Sequence, residues 1–228
     1  HIAVNQIDET LVKDALIADF TEVTVAAGDS ILLGDATDSG NTKRDTVQGI
    51  IDLVPAAGLS LLSSVTISSD ATVSFTGGFG GAHHHHVFIG SALVPATDAT
   101  TLTMVLSTDG GSSYASSAYE WVKHRVQDNG ATAVEVSASD SHLELTFSGA
   151  LGNVDDENWN FWIHMWFPES TGPTHYAGDG AGIESGLKTQ MDNIGGSLTT
   201  TADTDAVRFL AESGAITSGK IDHYAWTD

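Results

Sequence analysis

Four consecutive histidines, His83–His86, follow a glycine-rich stretch and lead straight into Val87-Phe88-Ile89. Imidazole ligates metals and titrates near pH 6.5. In an extended strand successive side chains alternate faces, so His83 and His85 are expected on one face and His84 and His86 on the other. Two imidazoles so spaced lie about 6–7 Å apart along the strand, close enough to approach one ion. Around a three-fold axis such pairs would supply six nitrogens, an octahedral set suited to Fe or Ni rather than tetrahedral Zn. The run therefore has three readings: a metal site at His83, His84, His85 and His86; a protonation switch; or a strand with two half-buried and two exposed imidazoles. No other cofactor is expected.

A second stretch, Asn158–Phe167, alternates Trp159, Phe161, Ile163, Met165 and Phe167 with Asn160, Trp162, His164 and Trp166. The first set fits a core face. The second would be odd on a bare surface and is expected to be covered by a loop, a sheet or another subunit. Aromatic faces stack on sugars and anchor interfaces, so Trp121, Trp162, His164, Trp166 and Tyr176 are the expected ligand or interface residues. Subunit packing is the rival role for Trp162 and Trp166.

Catalytic patterns are thin. Serines, histidines and aspartates abound, but no G-x-S-x-G motif stands between a strand and a helix. Asp155, Asp156 and Glu157 precede the aromatic strand and could serve a paired-carboxylate glycosidase. As part of "NVDDEN" they read first as a solvated turn. Asp35, Asp38 and Asn41 could hold Ca²⁺, although no D-x-D-x-D-G loop is present and an Asx-turn is the simpler reading. The glycines of Phe75–Ala82 lack the helix and lysine of a phosphate loop and read as a turn. No catalytic residue is expected, and the chain is not expected to be an enzyme.

Composition sets the frame for these residues. The chain has 228 residues, 30 acidic and 8 basic, a formal net charge of -22 and 41% hydrophobic residues. A sizeable core can form. Nucleic-acid binding is disfavoured, because phosphate neutralisation needs clustered Lys and Arg. Cysteine is absent, which removes disulfides and thiolate chemistry. No apolar run reaches the roughly 18 residues of a membrane span, and membrane insertion is not expected. No signal peptide is visible; the chain opens at His1 rather than Met, so the true N-terminus is expected to be trimmed or missing, and any targeting signal could have gone with it.

Two regions differ in pattern. Residues 1–56 hold a helical spacing at Leu11, Ala15, Leu16 and Phe20, a hairpin expected around Gly28, and a short helix capped by Asp45. Pro55–Gly58 reads as a linker. Residues 59–228 read as almost wholly β, with strands expected at 64–68, 71–75, 84–93, 101–107, 119–126, 134–137, 143–148, 158–167, 196–200, 206–210 and 220–226. "STDGGSS" at Ser107–Ser113 is a strong turn, since Asp-Gly-Gly supplies positive φ. The expected fold is mainly β: an antiparallel β-sandwich, jelly-roll-like, with a small N-terminal α+β connector.

Val94–Trp121, "VPATDATTLTMVLSTDGGSSYASSAYEW", resembles a β-sandwich module of bacteriophage tail-fibre and virion proteins. Ala206–Trp226 is similar to its ending, with Ile216, Ser218, Gly219 and Tyr224 in place and Tyr224-Ala225 where Tyr-Gly is usual. The N-terminal stretch with Gly28, Asp29, Asp35, Lys43, Arg44 and Thr46 resembles a phage fibre connector repeat. The resemblance implies a non-catalytic virion structural protein, a tail fibre, decoration or adhesin, on an exposed appendage of the virion. It implies a homotrimer that contacts other virion proteins and a host-surface glycan or protein. A free carbohydrate-binding module and a glycan-degrading tailspike are the alternatives.

Overall fold

The computed structural model describes residues 25–35, 41–52, 58–80, 83–166, 168, 172–200 and 202–227. The chain divides into two units at Pro55/Ala56. In the first, β1 (Ser30–Asp35) pairs antiparallel with β2 (Asn41–Thr46), and a short α1 (Val47–Ile51) follows. The sequence places a hairpin around Gly28. The turn is there, with Ala26 N–H donating to Asp29 Oδ2 at 2.8 Å, but it precedes β1. The hairpin itself pairs SILLGD with NTKRDT. The α1 cap is Thr46, whose Oγ accepts from Gly49 N–H at 3.0 Å. Asp45 does not cap, because its carboxylate accepts from the Thr46 N–H. The helix expected at Leu11–Phe20 and the candidate ligand Asp38 lie outside the described residues.

The second unit carries β3 (Gly58–Asp70), β4 (Val73–Phe75), β5 (His85–Pro95), β6 (Leu102–Ser107), β7 (Tyr119–Gln127), β8 (Thr132–Asp140), β9 (Leu143–Glu144), β10 (Trp159–Trp166), β11 (Thr174–Ile183), β12 (Thr189–Leu198), β13 (Ala206–Ala211) and β14 (Ile216–Thr227). Eight strands form one antiparallel sheet, ordered β3-β14-β5-β10-β11-β12-β7-β8. Four form a smaller antiparallel sheet, β4-β13-β6-β9. The two pack face to face, so the fold is a mainly-β antiparallel sandwich. The layers are unequal, unlike the two four-stranded sheets of an ideal jelly roll.

An aromatic seam joins the layers. Phe209 of β13 stacks on Phe161 of β10 with ring centroids 5.4 Å apart, and meets Phe88 of β5 edge-on at 5.4 Å. Phe75 of β4 closes the group, 5.5 Å from Phe88. Met104, Leu106, Leu143 and Val207 of the small sheet are fully buried against the large one. Among the described residues the small sheet covers one face of the large sheet, and side chains on its other face, Trp162, Val134 and Val136 among them, are exposed.

The strand β11, "THYAGDGAGI", is the element that the sequence pattern hides, since three glycines break the alternation. Their cause is steric. A Cβ on Gly180 would come within 2.6 Å of Trp159 Nε1, and one on Gly182 within 2.8 Å of the same indole. The fully buried Trp159 lies flat over β11, and only glycine leaves it room. The "STDGGSS" turn forms as expected, with Gly110 and Gly111 at φ 71° and 82°. Asp109 accepts there from the Ser113 N–H at 2.8 Å.

Phe209→Ala is expected to lower stability by about 3–5 kcal/mol, the usual cost of removing a buried ring. Gly180→Val is expected to cost about 1–3 kcal/mol through overpacking against Trp159. Denaturant midpoints, at an unchanged slope, measure both.

Candidate functional site

Strand β10 positions the open face. Trp159, Phe161, Ile163 and Met165 point into the core, while Asn160, Trp162, His164 and Trp166 point out. Register fixes their neighbours: Trp162 lies opposite Ile89 on β5 and Asp179 on β11, and Trp166 lies opposite His85 and His175. The result is a band of rings. Trp226 on β14, His85 on β5 and Trp166 on β10 are near-parallel, with centroid spacings of 6.2 and 5.3 Å. His164 continues the band at 5.6 Å from Trp166, and Trp162 meets His164 edge-on at 5.1 Å.

Trp162 is 49% exposed. Its indole N–H donates to Asp179 Oδ2 at 2.9 Å, which fixes the ring. The other oxygen of Asp179 accepts from the side-chain amide of Asn193. Beside the ring runs a cleft of about 340 Å³ bordered by Ile89, Ser91, Asn160, Trp162, Asp179 and Met191. It combines an aromatic plate and apolar walls with a hydroxyl, an amide and a carboxylate. Asp179 is the one acidic group on its wall among the described residues.

The band is electrically neutral near pH 7. His85 Nε2 and His164 Nδ1 share a hydrogen bond of 2.7 Å. Burial and the neighbouring His164 hold His85 below its ordinary pKa, and burial does the same to His164. In a chain of net charge -22 this leaves the rings of the band themselves uncharged.

The histidine run does not gather into one site. His83 precedes the strand, and its Nδ1 donates to the Trp226 carbonyl at 3.0 Å. His84 is exposed. His85 joins the outer band, and His86 turns inward to full burial. The paired H-x-H faces expected from the sequence require an extended chain through all four residues, but β5 starts only at His85. Inside the sandwich His86 meets His223 of β14, Nδ1 to Nε2, at 2.9 Å. The Nε2–H of His86 donates to the His83 carbonyl at 3.1 Å. The His86 Nδ1 must then accept, so His223 carries its proton on Nε2. The His223 Nδ1 is buried without a partner. Phe79 stacks on both imidazoles at 4.9 Å. Burial pushes His86 down to about 4 and His223 down to about 3.

Of the expected contact residues, Trp162, His164 and Trp166 are together on the outer face. Trp121 and Tyr176 are not: both are buried, and Tyr176 O–H donates to the Glu120 carbonyl at 3.1 Å. They fall on the inward phase of β7 and β11. The structure adds Trp226, Asp179 and Asn193. Trp226 was legible from the alternation of Asp222, Tyr224 and Trp226, but Asp179 sits in the glycine-rich β11 and carries no sequence signal. Asp155 and Asp156 lie in an exposed turn, and Glu157 is buried with its carboxylate against Gly152. No protein-family model matches the chain, and no curated protein matches it.

Stability is expected to fall as pH drops from about 6.5 to 4. Over that window the unfolded chain protonates its histidines, whereas His86 and His223, depressed to about 4 and 3, stay neutral in the fold. Asp192 acts oppositely: burial raises it to about 6, so the fold binds its proton first. The depressed histidines outnumber it. Denaturant midpoints at pH 7.5 and 5.0 measure the loss, and His223→Phe should reduce it.

Proposed function

We propose that this chain is a non-catalytic recognition protein of a virion surface, a tail-fibre or decoration adhesin that binds a host-surface glycan. The observation that carries the reading is Trp162, an exposed ring held by Asp179 beside a cleft with Asn160, Ser91 and Met191 on its walls. The C–H face of a sugar ring stacks on such an indole, while amide, hydroxyl and carboxylate groups take its hydroxyls. Among the described residues the cleft carries one carboxylate, whereas glycosidic cleavage uses two carboxyl groups about 5–9 Å apart across the scissile bond, so the binding reading is the one adopted. The virion setting rests on the likeness of Val94–Trp121 and Ala206–Trp226 to phage β-sandwich modules.

A structural role for part of the same face is favoured by its far edge. Val122, Val134 and Val136 of β7 and β8 are 49%, 63% and 71% exposed on the outer side, and β8 is the last strand of the sheet. An apolar sheet edge of this kind suits association between copies of the chain. The homotrimer belongs to this reading.

Trp162→Ala is expected to weaken a glycan selected from an array by at least tenfold, about 1.4 kcal/mol, in a calorimetric titration. The unfolding midpoint should stay within about 0.5 kcal/mol of the parent, because the ring is exposed. Equal affinity of the variant and parent would refute the glycan site. Light scattering on the eluting protein should give three times the chain mass at all concentrations; a monomer would sink the fibre reading.

A further inference from the structure

Away from the aromatic face, three potential ligand groups converge at the end of the small sheet. His142 lies between β8 and β9, Glu144 ends β9, and Glu212 directly follows β13. Their ligand atoms all lie within 4.8 Å of one another, the one such grouping among the described residues. His142 Nε2 is 3.3 Å from Glu212 Oε1 and 3.9 Å from Glu144 Oε1.

The other ring nitrogen of His142 is held by Ser141. Ser141 Oγ donates to Asp140 Oδ1 at 3.4 Å, and the same oxygen lies 2.9 Å from His142 Nδ1. Where Ser141 accepts the Nδ1–H, the Nε2 presents its lone pair to the two carboxylates. It is buried at the atom and has no hydrogen-bond partner, yet it faces two carboxylate oxygens. In that tautomer three lone-pair atoms face one another, and a cation placed between them removes the repulsion.

We propose that His142, Glu144 and Glu212 bind a first-row divalent transition cation such as Zn²⁺. Atoms bound to one cation at about 2.1 Å lie no more than about 4.2 Å apart, so both imidazole–carboxylate distances fit. The remaining edge closes by rotation of Glu212, which is 41% exposed at its side chain. One imidazole and two carboxylates, with water completing the shell, suit Zn²⁺ better than Ca²⁺ or Mg²⁺, which take oxygen ligands throughout.

The site is supported from behind. Lys123 Nζ holds Glu144 Oε2 at 2.5 Å and also bonds Glu135 and the Thr146 carbonyl, leaving Glu144 Oε1 free to ligate. The Ser141–Asp140 pair orients the imidazole, as second-shell groups do at metal centres. The order β13-β6-β9 puts one strand between the carboxylates, so the cation is a clip from β9 to β13 over the start of β6.

Calorimetric titration of ZnCl₂ into the full chain tests this. One equivalent is expected to bind and to raise the melting temperature. His142→Ala and Glu212→Gln should each weaken that binding at least tenfold and remove the thermal gain, with metal-free unfolding midpoints unchanged. Co²⁺ should give a visible d–d band in the parent that both variants lose. No binding, or equal binding by parent and variants, overturns the proposal. So does loss of the equivalent on His84→Ala with His142→Ala unaffected, which would place the ion at the histidine run instead.

Discussion

Period-two alternation along β10 is the constraint on which both halves of this molecule depend. One set of its side chains must go under the small sheet, and the same geometry forces the other set into solvent. Burying Trp159, Phe161, Ile163 and Met165 therefore creates the outward row of Asn160, Trp162, His164 and Trp166. A slip of one residue would expose the core set and bury an amide and an imidazole without partners. Glycines pin the register. Phe161 lies over Gly90 of β5 and Trp159 over Gly180 of β11, and neither ring fits over a residue with a Cβ. Core packing and the exposed face are two consequences of one register.

The histidines show how far backbone geometry outweighs residue type. His85 and His86 are adjacent and chemically identical, yet they serve opposite faces. One is a tile in an exterior aromatic band, hydrogen-bonded to His164. The other lies in the core, locked by His223 and by the carbonyl of His83. A buried imidazole avoids the desolvation cost of charge by remaining neutral, and the His86–His223 bond needs a bare nitrogen at one of its ends. The loop that carries Phe79 over the pair is the glycine-rich stretch that precedes the run.

Charge is handled differently at the sandwich edge. Lys123 is fully buried between Trp121 and Phe147, 4.6 and 5.1 Å from their ring centroids, and reaches Glu135 and Glu144. A buried ammonium without its carboxylates would cost several kcal/mol, so these partners fix where β9 can lie against β7. This ion pair links the large sheet to the short β9, which a two-residue strand pairing alone would hold weakly.

Much of the sandwich was legible in the sequence by itself: the mainly-β class, most strands, the Asp-Gly-Gly turn and the inward and outward sets of β10. These follow from side-chain periodicity and local φ preferences, which are properties of short segments. β11 was not legible, because its glycines answer to Trp159, a residue on another strand. Nor was the fate of Trp121 and Tyr176, whose aromatic character is equally suited to either face. The gathering of His142 and Glu144 with Glu212, and of Trp162 with Asp179 and Trp226, joins residues far apart in the chain. Only strand order and register bring them together, because pairing is a long-range choice that local pattern does not encode.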